Sequence, residues 1–292
     1  MELGIGLPNA VPGTTGRQLT DFARAADEAG FSTLGTIDRI VYPNFDALLA
    51  LSAAAAVTER IRLATSVMLG PLRMNAALVG KQLLTLDALA GGGRAVLGIG
   101  LGGREDDYEI SKLEMSRRGE WLDDALTEIR RIWDGEGELE SKVGPRPEGP
   151  GPSLIVGGYV SASFNRAARF ADGWMQGGSG PDQFAEDAAS VDEAWKQAGR
   201  DGKPRKMALG YYSLGEDAEK NAQAYLTDYY AWLGDETAKM IASSAAKDAD
   251  QVQGAMAAFE SHGCDELILF PSSGDPAQVG LLAEAAGLQS AR

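Results

Sequence analysis

The chain has 292 residues with 27 Lys+Arg against 42 Asp+Glu, a formal net charge of −15, and 44% of its residues are hydrophobic. That balance argues against nucleic acid or an anionic membrane as the main partner. It leaves room for an anionic small ligand, which a local arginine or a helix N-terminus holds within an acidic protein. One cysteine (Cys264) and one histidine (His262) exclude a disulfide framework and multi-Cys or multi-His metal centres, so no metal is expected. The sequence lacks any run of about 20 apolar residues, and Met1 leads straight into a strand-like segment. Neither a membrane span nor a signal peptide is expected, and the cytoplasm is the expected location.

Taken in order, the patterns alternate. Leu3–Leu7 is a short apolar run stopped by Pro8 and reads as a buried strand. Leu19, Phe22, Ala23 and Ala26 recur at helical spacing, and Gly30 stands where a C-terminal cap belongs. Thr33–Thr36 resumes strand character, followed by an Ala-rich helix over 45–57. Ile61–Leu69 is a β-branched strand ended by Gly70-Pro71, with a helix over 75–89 behind it. Ala95–Ile99 is a fourth strand and 118–134 an amphipathic helix. The Gly/Pro-rich 135–152 reads as a surface excursion. Ser153–Val156, Gly173–Gln176, Lys206–Tyr211 and Glu266–Phe270 complete eight strands, with helices over 161–171, 181–198, 216–262 and 275–287.

Eight strand-then-helix units predict an α/β protein, a closed (β/α)8 TIM barrel forming one domain over 1–292, with insertions after strands 4 and 7. A doubly wound open sheet is the alternative, but no G-x-G-x-x-G follows the first strand. In a barrel the site lies just past the strand C-termini. Those segments carry glycine, aromatic and amide groups, little carboxylate and no histidine, which suits a broad planar ligand. Glu105-Asp106-Asp107 reads as a solvated acidic turn, and His262 and Cys264 fall on the opposite, structural face. Gly157-Gly158-Tyr159 before a helix offers free N–H groups to an anion, with Ser161 and Ser163 nearby; Ser161 as a plain N-cap is the competing reading.

These residues, in their order and spacing, resemble the bacterial luciferase-like oxidoreductases, which use FMN or the deazaflavin F420. The matching stretches include Gly6-Leu-Pro8, Ala29-Gly-Phe31, Ile37-Asp38, Thr58–Leu63, Leu86–Arg94, Leu97–Gly102, Arg117–Gly119, Ile155–Gly158 and Ala171–Trp174. The resemblance implies the same barrel with a flavin-type ring in its mouth. It places the cofactor phosphate at Gly157, Gly158, Tyr159, Ser161 and Ser163. It places the ring against the end of strand three, where a bulge or non-prolyl cis peptide is expected at Leu69-Gly70. Asp38, Leu101, Gly102, Trp174 and Gln176 would line the cofactor.

Two departures bear on the chemistry. Where many members carry histidine after the aspartate, this chain has Arg39, and where the sugar-phosphate dehydrogenases place glutamate it has Gly103. Without those groups, removing hydride from an alcohol lacks its usual base. The expected reaction is hydride delivery from reduced F420 to a C=C or C=N bond of a small molecule. Tyr159, Tyr212 or water would supply the proton, and Arg39 would anchor an anion. The alternatives are an FMNH2-dependent monooxygenase fed by a separate reductase, and a non-catalytic flavin-binding barrel. A homodimer is the family's usual assembly.

Overall fold

The structure, a computed structural model, describes residues 1–147 and 149–288. The last four positions of the expected 1–292 domain therefore lie outside the described residues. Nine parallel strand segments are β1 (Glu2–Gly6), β2 (Thr33–Thr36), β3 (Arg62–Thr65), β4 (Met68–Leu69), β5 (Ala95–Gly100), β6 (Ser153–Gly157), β7 (Gly173–Gly177), β8 (Arg205–Tyr212) and β9 (Glu266–Pro271). β3 and β4 both pair with β5, through Leu63↔Ala95 and Met68↔Ile99. They are two halves of one stave, interrupted at Ser66-Val67. β9 pairs with both β8 and β1, closing an eight-stave ring. This is the expected (β/α)8 TIM barrel.

Local chemistry explains the wall. Helix α1 (Gly16–Ala29) begins at Thr15, whose side chain and Gln18 form a reciprocal capping box, and ends at Gly30 with φ 85°. Its Leu19, Phe22, Ala23 and Ala26 are buried against strand residues such as Ile5 and Leu34. Asp27, on the same helix, accepts the backbone N–H groups of Glu59, Arg60 and Ile61 at 2.7–3.0 Å, pinning the turn that enters β3. Helices α2 (Ala47–Ala55), α3 (Ala76–Leu89), α5 (Arg118–Asp134), α6 (Ser161–Phe170), α7 (Pro181–Gln197), α10 (Ala249–Ser261) and α11 (Ala277–Ala286) complete the outer layer, and α4 (Glu105–Ile110) is a short extra turn.

The strand period of two sorts the apolar residues into two cores. Leu63, Leu97, Leu154, Trp174, Ala208 and Leu267 face the helices. Ala64, Val96, Ile155, Met175, Met207, Ile268 and Phe270 fill the lumen. At the N-terminal end, Arg62 pairs with Glu2 and Glu266 at 2.6 and 3.2 Å, and Arg205 with Glu266 at 2.9 Å. His262 and Cys264 lie at this end as expected. Burial pushes the Cys264 thiol up to about 12, so it packs as an inert small residue.

Both expected insertions are present. The segment between β8 and β9 resolves into three helices. α8 (Ala218–Tyr229) and α9 (Asp235–Ser244), joined through Gly234 at φ 89°, form a hairpin over the C-terminal mouth, and α10 returns to the wall. The hairpin is clasped by Tyr42 Oη donating to Asp228 at 2.7 Å, and by Arg104 over the Trp232 ring. Among the described residues no helix is long and apolar enough to cross a membrane.

Candidate active site

The upper lumen is lined by glycine. A Cβ on Gly6 would stand 2.1 Å from the Phe270 ring, and one on Gly35 3.0 Å from both Phe270 and Ser66 Oγ. On the far side, Cβ atoms on Gly100 and Gly157 would meet the Val67 methyls at 2.9 and 3.0 Å. Missing side chains on these staves let Val67 lie across the lumen as a floor. The non-prolyl cis peptide is Ser66-Val67, not Leu69-Gly70 as expected. It falls where β3 stops pairing and β4 begins, so the two residues there leave the ladder and turn inward. Ser66 Oγ is buried in this cradle without a hydrogen-bond partner; Ser213 Oγ and Ser272 Oγ, in the residues just past β8 and β9, are likewise buried and unpartnered. Free hydroxyls of this kind, above a floor of side chains that the glycines make room for, suit the ring carbonyls and N–H groups of a flat heterocycle.

Asp38, Leu69, Leu101 and Gly102 come together beside this floor. Asp38 accepts from Leu69 N–H at 3.0 Å and from Arg73 at 2.6 Å, which ties the end of β2 to the segment after the cis peptide. Burial pushes its carboxyl above the usual range, while Arg73 opposes the shift. A Cβ on Gly102 would stand 2.9 Å from the Leu69 side chain, and Tyr108 Oη donates to Leu101 O. Gly70 belongs elsewhere: its Cβ would strike Ile99 and Leu122 in the helix layer at 2.7 Å.

Arg39 is not free to anchor an anion with its whole fork. Its Nε and Nη2 donate to Asp107 at 2.6 and 3.3 Å, and Asp107 also takes the Ile40 and Val41 N–H groups. Asp107 is 1% exposed, which corrects the solvated-turn reading: the sequence distance hid its partner. Gly103 is exposed beside the hairpin, and a Cβ there would sit 3.3 Å from the Trp232 ring.

At α6 the N-cap is Val160, and Ser163 supplies the capping hydroxyl, accepting from Val160 N–H at 3.1 Å. Ser161 is therefore the first helical residue, exposed, with its N–H and that of Ala162 left over by helix geometry. Gly158 has φ 142°, and a Cβ there would collide with Ser163 at 2.7 Å. Tyr159 is 62% exposed beside this turn.

Three expected side chains point the wrong way. Trp174 and Gln176 alternate with lumen-facing Met175, so both enter the helix layer. Trp174 packs between Phe164 and Phe184 and donates to Gly158 O at 2.7 Å, buttressing the turn from behind. Gln176 donates to Asp187 on α7 at 3.2 Å. Tyr212 faces α11 and donates to Gln278 O at 3.2 Å. Its neighbour Tyr211 faces the lumen instead, with Tyr225, Tyr229 and Tyr230 of the hairpin above it. Sequence reasoning named the Tyr211-Tyr212 segment but chose Tyr212 from it, and it did not single out Ser66, Val67 or Tyr230, which the fold brings to the mouth. The nine-residue apolar run 61–69, longer than the neighbouring strands, was the available sign that one stave is interrupted.

Comparison with known proteins matches this architecture. The sequence profile of luciferase-like monooxygenases matches residues 1–287. An uncharacterized protein of Mycobacterium tuberculosis is 32% identical over 219 residues, 62% of this chain and 75% of its own. An F420-dependent glucose-6-phosphate dehydrogenase of Kineococcus radiotolerans is 33% identical over 187 residues, and the match spans 55% of its length. An F420-dependent secondary alcohol dehydrogenase superposes with a TM-score of 0.82 at 16% identity over 98% of both chains. An FMN-bound type II Baeyer-Villiger monooxygenase from Pseudomonas putida gives 0.73 at 18% identity, over 99% of this chain and 98% of that one. The chain belongs to the luciferase-like monooxygenase family and is an oxidoreductase built on its barrel.

Proposed function

We propose that this chain is an F420-dependent reductase that delivers hydride to a C=C or C=N bond of a small molecule of natural-product type. The observation that carries the direction of the reaction is the state of the mouth carboxylates. Asp38 is held by Arg73, Asp107 by Arg39, Asp106 by Arg104 and Asp228 by Tyr42. A carboxylate held in this way is a poor base for taking an alcohol proton, and the two positions that supply a base in related dehydrogenases are Arg39, spent on Asp107, and Gly103, which has no side chain. Reduction asks for a proton donor instead, and the mouth offers phenols.

In this reading the cofactor ring lies on Val67 and Phe270, the side chains that Gly6, Gly35, Gly100 and Gly157 make room for, with Ser66, Ser213 and Ser272 as hydrogen-bonding partners. Asp38 and Arg73 fix the segment that carries Val67. The phosphate lies at the start of α6, on the Ser161 and Ala162 N–H groups and the Gly157-Gly158-Tyr159 turn. Reduced F420 supplies the hydride when bound. FMN is the alternative occupant of the same cradle, with oxygen as the co-substrate and a separate reductase supplying reduced flavin. We take the chain to be one domain that works in the cytoplasm as a homodimer. Exposed apolar Leu49, Met74 and Leu78, at 72, 73 and 50%, lie on and beside the helices after the early strands and suit such an interface.

The test is anaerobic mixing of the protein and reduced F420 with an enone, 2-cyclohexen-1-one, and a cyclic imine, 1-pyrroline. Cofactor reoxidation with the saturated product, identified by mass, supports the reading. Oxidation of a secondary alcohol by F420 with no reduction of either probe overturns it.

A further inference from the structure

The reductase reading leaves the proton without a source, and the residues first expected to give it do not reach the lumen or lie open to water: Tyr212 is buried against α11, and Tyr159 is mostly exposed. One phenol pair remains. Tyr211 closes the lumen side of β8, which stands four staves from β3–β4 in either direction around the ring and so faces Val67 across the mouth. Its ring packs on Phe270 at 6.3 Å, the side chain that fills the space over Gly6 and Gly35. Tyr230, at the end of α8, reaches down so that the two hydroxyls lie 2.7 Å apart. Tyr211 is 7% exposed and Tyr230 is partly buried, so Tyr230 is the less enclosed residue of the pair.

We propose that Tyr230 is the acid that protonates the substrate and that Tyr211 positions it. The role rests on the reductase reading. The hydride adds with its electron pair to one atom of the C=C or C=N bond, and the π pair moves onto the other atom. That atom takes the Tyr230 proton as the Oη–H bond breaks. The phenolate left behind accepts a hydrogen bond from Tyr211 Oη until solvent reprotonates it. The substrate gains two electrons, and the reduced deazaflavin loses them. Burial pushes the Tyr230 phenol up to about 12, with the Tyr211 hydrogen bond pulling the other way. The acid is therefore loaded at neutral pH, and Tyr211 eases its ionisation. The other titratable groups near Tyr230 are Tyr159, from the turn after β6, and Tyr225 and Tyr229 of α8.

The test has two arms. In cofactor-free protein, 3-fluorotyrosine placed at position 230 is titrated by 19F NMR, with and without Tyr211→Phe. The midpoint is expected to rise by about one pH unit when the Tyr211 hydroxyl is removed; an unmoved midpoint overturns the positioning role. In the second arm, reduced F420 is mixed with 2-cyclohexen-1-one and with 1-pyrroline. Tyr230→Phe is expected to lower kcat about 100-fold with KM and F420 affinity within twofold, and to melt within a few degrees of wild type. Wild-type turnover that survives Tyr230→Phe overturns the acid role alone and leaves the reductase reading standing. Wild type that reduces neither probe removes the reading, and the acid role with it.

Discussion

Arg39 and Asp107, 68 positions apart, form a buried two-point ion pair that joins the loop after β2 to the first turn of α4. The same carboxylate accepts the Ile40 and Val41 N–H groups at 3.0 and 2.7 Å, so one side chain organises four N–H donors. Removing it leaves the buried Arg39 guanidinium with only Val41 O at 3.2 Å and Asp106 at 3.5 Å, and takes the acceptor from the Ile40 and Val41 N–H groups. Asp107→Ala is expected to lower unfolding free energy by about 3–5 kcal/mol, and His262→Ala by less than about 0.5 kcal/mol. Urea unfolding of both variants checks this. Equal losses would mean that the pair contributes no more than a surface contact.

The floor of the mouth makes a packing prediction. Gly157→Val adds a side chain where a Cβ alone already approaches Val67 at 3.0 Å. The variant is expected to lose about 1–3 kcal/mol to overpacking and at least about tenfold in cofactor affinity. Val67→Ala is expected to weaken the cofactor with a smaller loss of stability. Fluorescence titration beside thermal melting separates the two effects. Unchanged affinity in both variants would move the ring away from Val67.

Ser161 tests the phosphate end. It is exposed and does not cap α6, so Ser161→Asp is expected to fold normally and to bind cofactor about tenfold more weakly through like-charge repulsion. Ser163→Ala, by contrast, removes the capping hydroxyl and is expected to cost about 1 kcal/mol of stability. Isothermal titration and melting of the pair check the split. Full affinity in Ser161→Asp would place the phosphate elsewhere.

Acid stability should depend on Asp27. Burial pushes its carboxyl up, but the Glu59, Ile61 and Arg60 N–H groups outweigh that and hold it below the usual carboxylate range. A depressed folded value means that the group stabilises the fold fully above its unfolded value of about 4. That contribution fades as pH falls through the lower folded value. Asp27→Asn is expected to lower stability by about 2 kcal/mol at pH 7. It should also flatten the fall in melting temperature between about pH 4 and pH 2. A variant as acid-sensitive as wild type would refute this linkage.

The barrel was legible because its strands and helices are written in local periodicity: Leu19, Phe22 and Ala26 declare α1, and Gly30 its end. Segments of the mouth were legible too, since any barrel puts its site past the strand ends. What periodicity does not carry is phase. One residue of register separates Tyr211 from Tyr212 and Met175 from Trp174, and a strand seen alone does not say which face is the lumen. The interruption at Ser66-Val67 shifted the expected bulge by three positions for the same reason. Asp107 was unreadable because its partner Arg39 is distant in sequence, and a run of three acids looks solvated until the fold brings a cation to it. Tyr230 lay inside a long helical stretch whose return over the mouth depends on tertiary contacts such as Tyr42 with Asp228.

The central claim is that the glycine-floored mouth holds F420. The most direct measurement is a side-by-side titration of the purified protein with F420 and with FMN, followed by ligand fluorescence. The account predicts saturable F420 binding with weak FMN binding, and loss of the F420 signal in Gly157→Val. FMN binding more tightly than F420, or neither binding at all, would contradict it.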